Sequence, residues 1–112
     1  MSEIKNLHKL IDEFVRERNW ESYHSPKNLA MSISIEAAEL MEIFQWLTIE
    51  ESNKVKDDPA IKEHIAEELA DVLNYALRMA RVMDIDISKA VIDKIEKNKK
   101  KYPKDQFNGN YK

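Results

Sequence analysis

The chain carries two acidic pairs, Glu36-Ala-Ala-Glu39 and Glu68-Leu-Ala-Asp71, inside segments that are otherwise apolar. Side chains three positions apart share one face of an α-helix, so each pair can aim two carboxylates at one point. Ionised carboxylates in apolar surroundings are costly unless they are paired or hold a metal. The ordinary explanation of an acidic doublet is a solvated helix face, and it suits Glu50, Glu51 and Glu63. It suits the two pairs poorly, because Ile35, Ala37, Ala38, Leu40 and Met41 surround the first, and Leu69, Ala70, Val72 and Leu73 the second. Two such pairs on facing helices would set four carboxylates around one cation. Glu42 and Glu67 lie close to these pairs, so spacing alone leaves the ligand set open.

The residue types narrow the metal. Di-iron bundles use Glu-x-x-His pairs, whereas here the third position after each leading Glu is Glu39 or Asp71. All-oxygen ligation suits Mg²⁺, with Mn²⁺ as a substitute, over Zn²⁺ or Fe²⁺. Mg²⁺ keeps several waters and accepts substrate phosphates as further ligands, which points to phosphoryl chemistry with an activated water. Lys94, Asn98 and Lys101 recur at helical spacing on the last long segment and could neutralise a polyphosphate. Lysines in the last turns of a helix also suit its dipole, so the stripe has an ordinary structural reading as well. Trp20, Tyr23 and His24 precede the first acidic helix, Trp46 ends it, and Tyr75 lies one turn beyond Asp71. Singly each ring reads as core; collected near the ends of the acidic helices they could stack on a nucleobase. His24 could hydrogen-bond a substrate or cap the helix around Pro26.

Helices must hold these groups. Ile4, Leu7, Leu10, Ile11, Phe14 and Val15 mark an amphipathic helix from 3 to about 18. Ser25-Pro26 starts a second helix, to about 47, that is apolar around most of its circumference. Such a helix is buried centrally or shared with a partner chain. Thr48 and Glu51 form a capping box for a short helix. Asp58-Pro59 opens a third long helix, about 59 to 83, with Ile61, Ile65, Leu69, Val72, Leu73, Ala76, Leu77 and Ala80 expected inward. Asp86 caps a fourth, 87 to about 101, stopped by Pro103, and 104–112 reads as a tail. The expected fold is all-α, a bundle of four main helices in one domain over 1–112.

Composition agrees. One glycine and three prolines in 112 residues leave little turn chemistry for sheets. A net charge of −3, with no strongly basic arm before Lys94, argues against binding a nucleic acid polymer. Cysteine is absent, so disulfides and thiolate metal sites are excluded. Neither a signal-peptide run nor 18 uninterrupted apolar residues occurs, so no membrane association and a cytoplasmic location are expected.

The run from Trp20 through His24-Ser25-Pro26 to Leu29, then Glu36 to Leu40, Phe44-Gln45-Trp46, Glu67 to Leu73, and Asn98 to Lys101-Tyr102-Pro103 resembles the all-α nucleoside triphosphate pyrophosphohydrolases. The similarity covers roughly residues 7 to 103 and is strongest to the small single-domain MazG-like branch, which includes the dCTP pyrophosphatases. The resemblance implies Mg²⁺-dependent hydrolysis of a (deoxy)nucleoside triphosphate to monophosphate and pyrophosphate. It implies Glu36, Glu39, Glu68 and Asp71 as metal ligands; of these carboxylates Glu39, with Glu36, is expected to orient or deprotonate the attacking water. Trp20, His24, Trp46 and Tyr75 would line the nucleoside pocket. Lys94, Asn98 and Lys101 would meet phosphates from a neighbouring subunit of a homodimer or homotetramer. Asn74 departs from the aliphatic residue of some dCTP-specific members, which puts cytosine preference in question. A non-catalytic helical scaffold is the competing class, and it would be indifferent to Mg²⁺. Alarmone-type phosphohydrolases use a His-Asp doublet, and no His here precedes an Asp.

Overall fold

The computed structural model describes residues 2–109, and these contain helices and no strand. Six α-helices follow one another: α1 Glu3–Glu17, α2 Pro26–Phe44, α3 Ile49–Ser52, α4 Pro59–Val82, α5 Ile87–Lys101 and α6 Lys104–Phe107. Two 3₁₀ turns, Glu21–Tyr23 and Val55–Asp57, lie in the connections. The four long helices are those the periodicity marks, although α2 ends at Phe44 rather than near 47. The segment read as a tail begins instead with the single turn of α6, where Phe107 packs edge-on against Tyr102 at 5.1 Å. The last part of that segment, 110–112, lies outside the described residues.

Local chemistry sets the boundaries. Ser25 accepts from the Asn28 N–H and Pro26 occupies the first turn of α2. Asp58 accepts from the Ala60 and Ile61 N–H groups at the start of α4, and Asp86 from Lys89 at the start of α5. Thr48 and Glu51 make both bonds of the capping box, 3.1 and 2.8 Å, opening α3.

α2 and α4 run side by side in opposite directions, since Glu42 and Ile43 late in α2 share a cavity with Ile61 and His64 early in α4. α1 packs on α4. The fully buried apolar side chains are few: Val15 of α1, Leu29 of α2, and Leu77 and Ala80 of α4. Leu69 and Leu73, expected inward, are about half exposed instead, as are Met31, Ile35 and Met41 on α2. On α5, Val91, Ile92 and Ile95 are likewise open. The sequence pattern identifies these positions as apolar faces, but one copy of the chain has nothing to cover them.

The dimensions say the same. The radius of gyration is 17.1 Å, against about 13 Å for a compact chain of this length. The accessible surface is 9229 Å², whereas a folded monomer of 13.2 kDa exposes roughly 6,400 Å². Among the described residues no helix is long and apolar enough to cross a membrane.

Candidate active site

The antiparallel pairing of α2 and α4 brings their acidic turns together. One carboxylate oxygen each from Glu36, Glu39 and Glu68 lies within 4.8 Å of the others. Asp71, one turn beyond Glu68, stands outside that tightest group, yet its charge is felt by both Glu36 and Glu68. Oε2 of Glu36 and Oε2 of Glu68 are closed to solvent and have no hydrogen-bond partner. Buried acceptors are normally satisfied, so two orphaned carboxylate oxygens within one acidic cluster need an explanation.

The electrostatics follow from this crowding. Glu36 is raised from its ordinary 4.5 to about 7, first by burial, then by its hydrogen bond with Glu39, then by the charges of Glu39, Asp71 and Glu68. Glu68 is raised as well, again by burial first and then by Glu39 and Asp71. His64 opposes that rise, its Nε2 lying 3.5 Å from Glu68 Oε1. A cluster of hard oxygen donors that cannot comfortably ionise together fits a hard divalent cation.

This has a measurable consequence. The folded state holds the Glu36 proton more tightly than an unfolded chain does, so this group's stabilisation is full below about pH 4.5 and is lost as pH rises through about 7. With divalent cations chelated, the melting temperature is expected to fall across that window, and Glu36→Gln is expected to flatten the fall. Added Mg²⁺ should raise it more at pH 8 than at pH 6, because only the ionised cluster binds the cation well. Thermal unfolding followed by circular dichroism checks this; equal profiles for wild type and Glu36→Gln would rule it out.

An aromatic groove of ≈ 460 Å³ adjoins the cluster, within the range of small-molecule sites. Its α1 wall is Leu7, Leu10, Ile11, Phe14 and Val15; Trp20 and His24 form one end; Asp71, Asn74, Tyr75 and Arg78 of α4 form the other wall. Asp71 thus belongs both to the groove and to the electrostatic neighbourhood of the carboxylates. Positions 71, 74, 75 and 78 share one helix face, and Tyr75 stands about 10 Å along the axis from Glu68.

The turn after α1 puts the rings in place. Asn19 takes a left-handed conformation, φ 53°, which asparagine tolerates better than most residues. The Trp20 N–H then bonds back to the Val15 carbonyl at 3.1 Å, closing the helix end. The Trp20 ring is folded edge-on against Phe14 at 5.5 Å. Asn28 Nδ2 donates to the Tyr23 carbonyl at 3.1 Å, fixing the strand of chain that carries His24. His24 meets Tyr75 edge-on at 6.4 Å.

Not every expected residue arrives. Trp46 is 87% exposed and does not line the groove. Lys94, Asn98 and Lys101 sit on the exposed length of α5, away from both the groove and the carboxylates of their own chain. Lys101 Nζ instead lies 5.3 Å from the Tyr102 ring centroid. Two groups near the groove escaped the sequence reading. Arg78 continues the Asp71–Tyr75 face by a further turn, a signal that helical spacing offers. Asp12 bonds Arg78 from α1, and nothing local in the sequence marks it.

The comparisons with known proteins converge on one family. A model of the MazG-like family matches residues 31–112. The chain is 37% identical over 100 residues to dCTP pyrophosphatase 1 of Rattus norvegicus and to that of Homo sapiens, covering 89% of this chain and 59% of each relative. It therefore spans about three fifths of the length of these curated relatives. The crystal structure of a pyrophosphatase from Archaeoglobus fulgidus superposes with a TM-score of 0.85 at 45% identity, covering 92% of this chain and 94% of that one. With a family model spanning most of its length and an all-α fold shared with that structure, the chain belongs to the MazG-like family.

Proposed function

We propose that this protein hydrolyses (deoxy)nucleoside triphosphates to the monophosphate and pyrophosphate, with dCTP a preferred candidate, and acts on the cytoplasmic nucleotide pool. The observation that carries the reading is the meeting of Glu36, Glu39 and Glu68, with two orphaned oxygens, one helical turn from Asp71 in the wall of a ring-lined groove. The names of the relatives, dCTP pyrophosphatase and pyrophosphatase, support it.

Glu36, Glu39, Glu68 and Asp71 would hold the cation, Mg²⁺ or in its place Mn²⁺. When bound it supplies positive charge at the phosphate oxygens and makes a nearby water more acidic. The chain's own residues do the rest. Trp20, Tyr75 and His24 hold the base in the groove, whose geometry runs from Asp71 away from the carboxylates, so the phosphates lie at the acidic end. Glu39 orients a water for in-line attack on the α-phosphorus and accepts its proton; the bond from that phosphorus to the bridging oxygen breaks, and pyrophosphate leaves.

The groove and cluster of one copy contain few cations to meet a triphosphate, which gives the oligomer a chemical reason as well as a packing one. Surface in excess of a compact monomer amounts to roughly 2,800 Å² per chain, within the scale of obligate homo-oligomer interfaces. A homodimer or dimer of dimers would cover the apolar faces of α2, α4 and α5. It would also carry Lys94, Asn98 and Lys101, and with them Trp46, to a neighbour's site.

The test is a panel of NTPs and dNTPs incubated with and without Mg²⁺, with products separated by chromatography. Monophosphate and pyrophosphate are expected in equal amounts, only with the cation, and fastest for a deoxynucleotide. Release of orthophosphate, or no Mg²⁺-dependent turnover of any member, would end the proposal in favour of a scaffold.

A further inference from the structure

Arg78 lines the groove with a side chain that is 13% exposed, and both ends of its guanidinium are engaged. Nη1 donates to Asp12 Oδ1 at 2.9 Å, and Nε donates to His24 Nδ1 at 3.2 Å. Asp12 is itself fixed, its second oxygen Oδ2 accepting from Arg81 Nε at 2.9 Å. A guanidinium nitrogen has no acceptor capacity, so a bond between Arg78 Nε and His24 Nδ1 requires Nδ1 to carry a lone pair. The proton of the uncharged imidazole is then on Nε2. We infer that Asp12 and Arg78 form a positioning relay that fixes the His24 ring and its tautomer, so that the groove offers an Nε2–H donor to a ring-nitrogen or carbonyl acceptor on the base. This inference rests on the nucleotide reading of the groove for its ligand, but not for the tautomer.

Three features make the arrangement more than packing. The relay ties three separate elements together, α1 through Asp12, the turn before α2 through His24, and α4 through Arg78, the last two of which line the groove. Burial and the Arg78 charge both lower the His24 pKa, while Glu21 opposes them, so the ring stays uncharged near neutral pH and the acceptor at Nδ1 persists. Finally, a histidine free to flip would present donor or acceptor at random, whereas a ring pinned at Nδ1 presents one polarity only. Discrimination by a buried polar group is strong when the wrong base leaves that group unpaired.

Arg78 and Asp12 are thus positioning residues for base selection and leave the carboxylate chemistry alone. The experiment uses the full chain, with ¹⁵N-labelled histidine NMR and steady-state kinetics on dCTP run together. Wild type is expected to show a protonated Nε2 and an unprotonated Nδ1 for His24. In Arg78→Met the two nitrogens should become averaged, with KM for dCTP raised about tenfold, the loss of one well-placed neutral hydrogen bond between His24 and the base, and kcat kept within about twofold. Asp12→Asn, which does not line the groove, is expected to shift the same signals more weakly and to add nothing in the Arg78→Met background. Arg78→Lys should restore part of the KM. A His24 proton on Nδ1 in wild type, or unchanged His24 signals in both single variants, overturns the inference whatever the enzyme does. Averaged signals with unchanged KM overturn its ligand half. Failure of the wild type to turn over any triphosphate sinks the nucleotide reading separately, and the tautomer measurement still decides the relay.

Discussion

Glu39→Ala is expected to remain helical and to lose about a thousandfold in kcat/KM toward its best triphosphate at saturating Mg²⁺. The size of the effect follows from the position. Glu39 helps to raise the pKa of both Glu36 and Glu68 and supplies one of the three converging carboxylate oxygens. Removing it therefore takes away a cation ligand and the group placed to accept a proton from water. Neighbouring Glu36 offers a complementary signature. In Glu36→Gln, activity should fall by a similar factor while the cation-free protein melts higher than wild type near pH 8. That opposite sign is the mark of a functional cluster: like charges held together cost stability, and an isosteric amide relieves the repulsion. Monophosphate and pyrophosphate release gives the first number and thermal unfolding the second. Wild-type turnover in both variants would remove the carboxylates from the chemistry.

The combined variant Ile35→Glu, Leu73→Arg is expected to lose its native assembly. Ile35 is 58% and Leu73 53% exposed in a single chain, on the two helices that also carry the acidic pairs. If copies of the chain cover these faces, each substitution buries an unpaired charge, at a cost of roughly 3 kcal/mol or more, and in a twofold interface it counts twice. Sedimentation should shift from an oligomer toward 13.2 kDa, with the cooperative melt weakened or lost, because the core within one copy rests on only a few fully buried side chains. Activity should fall with assembly if α5 of a neighbour brings Lys94, Asn98 and Lys101 to the phosphates. A wild-type protein that sediments at 13.2 kDa and melts sharply would show the apolar faces to be something other than an interface.

How far the residues foretold the site differs between its two halves. The meeting of the carboxylates was legible because its signal is local, a three-residue spacing on each of two helices among apolar neighbours, although Glu39 itself is exposed. As groove residues, Trp20 and His24 were legible by their place before α2 and Tyr75 by its spacing from Asp71, although the fold around Asn19 was needed to lay Trp20 against Phe14. Arg78 was half legible, lying on the Asp71–Tyr75 face without any sequence reason to prefer it to Arg81. Asp12 was illegible, since its role depends on a contact across 66 residues. For Trp46, Lys94, Asn98 and Lys101, the single chain brings no partner to the groove. Their expected roles depend on a neighbouring copy, which a sequence can call for but does not position.

By itself, then, the sequence determined the helices, through caps at Ser25, Thr48, Asp58 and Asp86 and a 3.6-residue apolar period, and it marked the two acidic pairs that lie among apolar neighbours. Those are properties of neighbours along the chain. Only the tertiary structure decided that α2 and α4 run antiparallel, so that Glu36 and Glu39 meet Glu68 with Asp71 at the groove. It alone turned Leu69 and Leu73 outward and joined His24 to Asp12 through Arg78. The physical reason is that periodicity names a helix's apolar face but leaves open which other helix, in this chain or another, will cover it.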